Sequence, residues 1–206
     1  MLQLSVPGGH QDILLHSCCA PCSGAVIECL LQNGLRPTVF FSNSNIVPHQ
    51  EYELRLSELR RYCESLGVPL VVDEYDHEAW LDYVLGRREA EAGEQRRLAE
   101  MPERGERCLR CFKFRLLRAA GYAAANGLPV LTTTLASSRW KSLEQVDEAG
   151  RFATEESNKV PPEDRVLWWN QNWRKGGLQP RRGEIICEQG FYNQSYCGCE
   201  FSQRHD

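Results

Sequence analysis

The chain has 206 residues, 42% hydrophobic and 25% charged, with a formal net charge of −4. That length suits one domain with a sizeable core, no apolar run nears the roughly 20 residues that span a bilayer, and the net charge excludes nucleic-acid binding by bulk charge alone. The start, Met1 to Pro7, lacks the basic and apolar stretches of a secretory signal, so a cytoplasmic location is expected.

Ile13-Leu14-Leu15-His16 reads as a short buried strand that runs straight into cysteines. Gly24 to Gln32 carries a helical pattern, stopped by Gly34. Thr38 to Phe41 is a second strand. His49 to Leu66 predicts an amphipathic helix, because Leu54, Leu56, Leu59, Tyr62, Cys63 and Leu66 recur at a period near 3.6. Pro69 to Val72 is a third strand, and Glu78 to Ala92 is expected to be helical. Gly93 to Glu106 is charged and expected to be partly mobile. Cys108 to Ala125 predicts a helix closed by Asn126-Gly127, Pro129 to Thr134 a fourth strand, and Lys141 to Gly150 a further helix. Beyond Lys159 the pattern loosens through Pro161-Pro162, a tryptophan-rich stretch, Gly176-Gly177 and Gly183. Strands alternating with helices imply an α/β fold, a parallel sheet with helices on both faces, followed by an irregular cysteine-containing C-terminal segment. With no internal repeat and no long linker, a single domain over 1–206 is expected. Ligands of such sheets bind beyond the carboxyl ends of the strands. The first cysteines, Asn43 with Asn45, and Ser137 with Ser138 all follow strands, so they should share one edge.

Ten cysteines are many for a chain with no secretory signal. In a reducing compartment they point to metal binding or catalysis rather than to disulfides. Three groups stand out: Cys18, Cys19 and Cys22; Cys108 and Cys111; Cys197 and Cys199. One CxxC is weak evidence, but three groups are much stronger. Their seven thiols exceed the four that tetrahedral zinc or a cubane cluster takes, which suggests a cluster beside a second metal, or a cluster beside free redox thiols. Cys18 and Cys19 are adjacent, and alternation along extended chain would send them to different metals. Cys29 and Cys63 fit the core better than a ligand role, and Cys187 fits either.

Two basic stretches, Arg104 to Arg118 and Arg165 to Arg182, read either as solvated faces or as a phosphate-binding surface beside the cysteines. His16 reads as a hydrogen-bonded core residue or a proton donor. Asn43 and Asn45 form a turn or hold substrate hydroxyls. Ser138 and Lys141 cap a helix or hold substrate, and Trp168, Trp169 and Trp173 stack on a base or pack in the core.

Together these motifs resemble the cobalamin-independent, QueH-type epoxyqueuosine reductases. The residues that carry the resemblance are Leu14 to Cys22; Asn43-Ser44-Asn45-Ile46 with Pro48 and Glu51; Arg107-Cys108 with Cys111; Thr132 to Leu135 with Ser138 and Lys141; Trp173-Arg174-Lys175; and Tyr196 to Cys199. Ser44 stands where the family usually has proline, and Asn172-Trp173-Arg174 where it has Asp-Phe-Arg. The resemblance implies a nucleotide-hydrolase-like, Rossmann-like fold, a [4Fe-4S] cluster beside a second metal ion, expected to be iron, and a tRNA substrate carrying epoxyqueuosine. The reaction implied is reduction of the epoxide to an alkene, the last step of queuosine biosynthesis, with electrons from an unidentified donor. The cysteines of the three groups would hold metal. His16, Asn43 and Asn45 would be catalytic, and Ser138, Lys141, Arg174 and Lys175 would bind substrate, with Arg107, Arg110 and Lys113 as further phosphate contacts. The competing readings are a cluster-dependent tRNA sulfur-transfer enzyme, a non-enzymatic zinc-binding RNA module, and a thiol oxidoreductase using Cys108 and Cys111. The first lacks its ATP-binding loop, because Ser17 to Gly24 holds cysteines instead.

Overall fold

A computed structural model describes residues 2–158 and 165–202. Pro161 and Pro162, where the pattern loosens, lie outside the described residues. Five strands, β1 (Asp12–Ser17), β2 (Arg36–Phe41), β3 (Leu70–Val72), β4 (Val130–Thr133) and β5 (Leu167–Trp168), form one sheet in the order β3-β2-β1-β4-β5. Every neighbouring pair is parallel, with Leu15 opposite both Val39 and Thr132. Ile13, Leu14 and Leu15 are fully buried, as the central strand of a sheet covered on both faces requires.

Among the described residues seven α-helices flank the sheet: α1 (Ala20–Gln32), α2 (His49–Ser65), α3 (His77–Leu85), α4 (Ala92–Glu100), α5 (Glu106–Ala125), α6 (Leu143–Ser157) and α7 (Leu178–Gln189). The first helix packs on α2 and α7, and α5 packs on α6 and α3. Right-handed crossovers put these two groups on opposite faces of the sheet. The connection from β1 runs to β2 on one side, and β4 lies on the other side of β1. The strand order therefore reverses between β1 and β4, where a crevice opens beyond their carboxyl ends.

The structure departs from the expected elements at four places. The helix expected over Glu78 to Ala92 ends at Leu85, because Gly86 takes a left-handed conformation (φ 65°) and caps it. The stretch expected to be partly mobile contains α4, anchored by fully buried Leu98. Arg107, read as a phosphate contact, is buried and donates to the Leu98 and Ala99 carbonyls at 3.1 and 2.6 Å, so it caps α4. Beyond residue 164, β5 and α7 replace the irregular segment as far as Gln189; irregular chain carries Cys197 and Cys199. A second, smaller apolar cluster of Trp80, Leu81, Val84, Leu85, Leu98, Cys111 and Phe114 joins α3, α4 and α5, and Cys199 and Phe201 pack against it.

Candidate metal centre

The end of β1 delivers the first cysteine group. Ser17 closes the strand, and Cys19 is the N-cap of α1, with Pro21 in the first turn. Proline suits that position because its missing N–H would be unpaired there anyway. The Sγ atoms of Cys18, Cys19 and Cys22 all lie within 4.8 Å of one another, with Cys18 and Cys19 3.7 Å apart. The expectation that Cys18 and Cys19 diverge is therefore corrected: the strand has ended before them, so its alternation does not separate their side chains. Sulfurs that share one tetrahedral ion at about 2.3 Å sit at a comparable separation, so this thiol triad fits a soft metal. Cys18 also meets the end of β4, where the Thr134 hydroxyl accepts from Cys18 N–H at 3.2 Å and lies 3.5 Å from its sulfur.

The other thiols come from the start of α5 and the C-terminal segment. Burial pushes Cys108 upward, and Cys197 and Cys199 add to the shift. Cys111 is pushed up to about 11 by burial, with Cys197 contributing. Cys199 is pushed up to about 12 by burial, then by Cys197 and Cys111. These four sulfurs thus lie within electrostatic reach of one another. Among the described residues, though, only the Cys18 triad closes to the size of a single ion.

Lys141 links the two sets. Its Nζ donates to Cys197 Sγ at 3.5 Å. Burial works against its charge, but Cys197, Cys18 and Cys22 outweigh that and raise its pKa. Within the triad, donation from Cys19 and then Cys22 holds Cys18 well below the ordinary thiol value, while hydrogen bonding to Cys18 raises Cys19 and Cys22. A bound cation would favour the thiolate at every one of these positions.

The loop after β2 faces this site from the other side. Asn43 Nδ2 donates to the Ser17 carbonyl at 2.9 Å, and Asn43 Oδ1 accepts from buried Arg115. Asn43 is therefore a bracket between two strand ends. Asn45 differs, because its Oδ1 is buried without a hydrogen-bond partner among the described residues. The Asn43–Val47 loop also holds the C-terminal cysteines: Val47 N–H donates to the Gly198 carbonyl at 2.9 Å, and the Tyr196 hydroxyl donates to the Val47 carbonyl. Gly198 (φ 126°) approaches so closely that a Cβ there would lie 3.0 Å from Ile46 and 3.2 Å from Arg55. Arg55 completes the clamp. Its guanidinium, paired with Glu51, donates to the carbonyls of Cys197 at 3.1 Å and Tyr196 at 3.3 Å.

His16 is fully buried at the carboxyl end of β1. Its Nε2 donates to the Ser42 carbonyl at 3.3 Å, and its Nδ1 shares a 2.7 Å hydrogen bond with Thr133. Burial, reinforced by Arg115, lowers its pKa to about 3. The imidazole, engaged at both nitrogens, braces β1 against β2 and β4. Ser138 is buried beside Lys141, and its Oγ accepts from Trp140 N–H. Arg174 donates to the carbonyls of Ser138 and Lys141 and fixes that loop, while its Nε is buried without a hydrogen-bond partner among the described residues. Lys175 is exposed. Arg110 pairs with Glu106 and Lys113 with Glu148. Trp169 and Trp173 are buried in edge contact at 5.3 Å, and Trp168 donates to Asp147, so all three pack rather than stack on a base.

Sequence reasoning missed the buried arginines Arg55 and Arg115. The available signals were Glu51 one helical turn before Arg55, and Arg115 on the same face of α5 as Cys111 and Phe112.

The geometry agrees with comparison to known proteins. A family profile described as Epoxyqueuosine reductase QueH matches residues 13–205. Identity is 42% over 202 residues to the Epoxyqueuosine reductase QueH of Histophilus somni, covering 98% of this chain and 76% of that protein. It is 41% over 202 residues to the protein of the same name in Haemophilus influenzae, with the same coverage. The namesake in Acinetobacter baylyi is 39% identical over 203 residues, covering 98% of this chain and 85% of that protein. A match of this extent, on a parallel sheet whose switch point carries the cysteines, makes this chain a member of the QueH epoxyqueuosine reductase family.

Proposed function

We propose that this protein reduces epoxyqueuosine to queuosine in tRNA, the final step of queuosine biosynthesis. In this reading residues 1–206 act as one metallo-reductase domain in the cytoplasm, with a [4Fe-4S] cluster and a second metal ion, iron. Among the described residues no helix is long and apolar enough to cross a membrane. The observation that carries the reading is the triad of Cys18, Cys19 and Cys22, its sulfurs within 4.8 Å, joined through Lys141 to Cys197. Seven thiols, in a set of three and a set of four, are enough donors for a cluster and a neighbouring ion.

Opening the epoxide to an alkene takes two electrons and two protons and releases water. Bound iron would supply one-electron steps from an external donor and Lewis acidity toward oxygen. The chain's own groups do the rest. Lys141 places its Nζ 3.5 Å from Cys197 Sγ, at the junction of the thiol sets, where it can hold substrate or move a proton. Asn45 offers an unsatisfied amide oxygen, which can accept from a substrate hydroxyl or amine. Ser138 sits beside Lys141 on the same loop. His16, Asn43 and Arg174 hold these groups in place, and Lys175 is exposed for a phosphate contact. Cys108, Cys111, Cys197 and Cys199 supply the remaining thiolates.

Anaerobic purification with iron and sulfide quantification and electron paramagnetic resonance tests the metals, and single turnover on tRNA carrying the epoxide tests the substrate. Stoichiometric zinc without iron or sulfide after reconstitution would overturn the reductase reading.

A further inference from the structure

Beside the cysteine sets runs an open groove of about 730 Å³ lined by Arg104, Arg139, Trp140, Gln179, Pro180 and Arg182. Half of those residues are arginines and none is acidic, in a chain whose net charge is −4. Trp140 is 77% exposed, far beyond the other large apolar side chains that reach the surface. An indole left in water is unfavourable by its apolar area, so its position asks for a reason.

Its backbone is nonetheless fixed. Trp140 N–H donates to Ser138 Oγ at 3.3 Å, and its carbonyl accepts from Arg104 Nε at 2.9 Å. Arg104 also donates to the Arg139 carbonyl at 3.3 Å, and Gln145 holds the Arg104 carbonyl at 2.8 Å. The ring is therefore presented on a braced loop rather than on a loose one.

The groove also leads to the site. Arg182 donates to the carbonyl of Pro21, inside the Cys18–Cys22 turn, at 2.9 Å. Arg104 N–H donates to Cys108 Sγ at 3.3 Å, and Gln179 donates to the Ser137 carbonyl at 3.0 Å. Lys141, next in sequence to Trp140, reaches Cys197.

Resting on the reductase reading above, we infer that Trp140 is a stacking platform for an unpaired base of the RNA loop that carries the substrate nucleoside, with Arg139 holding a flanking phosphate. A nucleoside can enter a buried thiol site only by leaving its stack. Its neighbours are then unstacked, and an exposed indole between cations is the surface that receives one.

The test measures binding of a labelled tRNA transcript to the full chain across a salt series, for wild type, Trp140→Ala, Trp140→Phe and Arg139→Ala. Circular dichroism and metal content are recorded for each protein. Trp140→Ala is expected to weaken binding roughly 10-fold or more, and Trp140→Phe to recover most of that. Arg139→Ala is expected to weaken binding and to reduce the log–log salt slope by about 0.7. Wild-type affinity in both Trp140→Ala and Arg139→Ala overturns the inference, whether or not the protein reduces the epoxide. Turnover of epoxyqueuosine tRNA is scored on wild type alone, so failure of the reductase reading shows as absent turnover with the binding pattern intact. Should Trp140→Ala misfold, Trp140→Phe and Arg139→Ala decide the matter: unchanged affinity in Arg139→Ala and a salt slope equal to wild type overturn it.

Discussion

Two asparagines two positions apart do different work after β2. Asn43 joins the Ser17 carbonyl to Arg115, so Asn43→Ala strands a buried carbonyl and part of a buried guanidinium. It is expected to lower stability by about 2–3 kcal/mol. Asn45 Oδ1 has no partner among the described residues, so Asn45→Ala is expected to change stability by less than about 1 kcal/mol while lowering turnover. Urea unfolding separates the two, and equal losses would remove the argument for Asn45. Arg55 gives a further outcome at this scale. Arg55→Met removes the partner of Glu51 and releases the carbonyls before Gly198. A loss of about 3–5 kcal/mol is expected for breaking a buried pair, together with faster reaction of Cys197 with a thiol reagent. Cys18, Cys19, Cys22 and Asn45 were legible from residue type and position after a strand. Arg55 and Arg115 were not, because an arginine is read as surface until the carbonyls that surround it are known.

Helix packing sets the next outcomes. A Cβ at Gly150 on α6 would lie 2.0 Å from the Trp168 ring, which rests on that glycine. Gly150→Ala therefore forces β5 away from α6 and is expected to destabilise by about 1–3 kcal/mol, despite alanine's better helix propensity, as a thermal melt would show. Between α1 and α7, Arg181 holds Glu28 below the usual carboxylate range, helped by the Tyr62 hydroxyl. A lowered carboxylate stabilises the fold above its ordinary pKa and loses that contribution as pH falls through its folded value. Both side chains are partly exposed, so the contribution is under about 1 kcal/mol. Glu28→Gln is expected to be less stable than wild type at pH 7 and to converge with it in acid, as denaturant midpoints across pH would reveal. Strands and helices with clean periodicity were readable: β1, β2, β4, α1, α2 and α5. The last strand was not, because Leu167–Trp168 is too short to show alternation. Neither was α4, whose nine residues bury Leu98 alone and whose end depends on a distant arginine. The third missed element, α7, begins after two left-handed glycines that read as loop.

At the scale of the molecule, the alternating pattern was enough to place three strand ends at one edge, and the parallel sheet brings them there. What it could not give was the return of residues 196–199 to that edge, since those contacts run through backbone atoms of the Asn43–Val47 loop. A metal bound by thiols of three distant segments would tie the folded chain together and bind the unfolded chain less well. Anaerobic removal of metal is therefore expected to lower the melting temperature by several degrees, through linkage of binding to folding. Equal melting of the metal-loaded and stripped proteins would argue against shared coordination. The same wiring has a consequence for synthesis on the ribosome. Cys18, Cys19 and Cys22 emerge first, Cys108 and Cys111 midway, and Cys197 and Cys199 after nearly all the rest has been translated. All seven thiols are present only once nearly the whole chain has been translated, so a cofactor that needs all three groups would have to be delivered to the completed polypeptide.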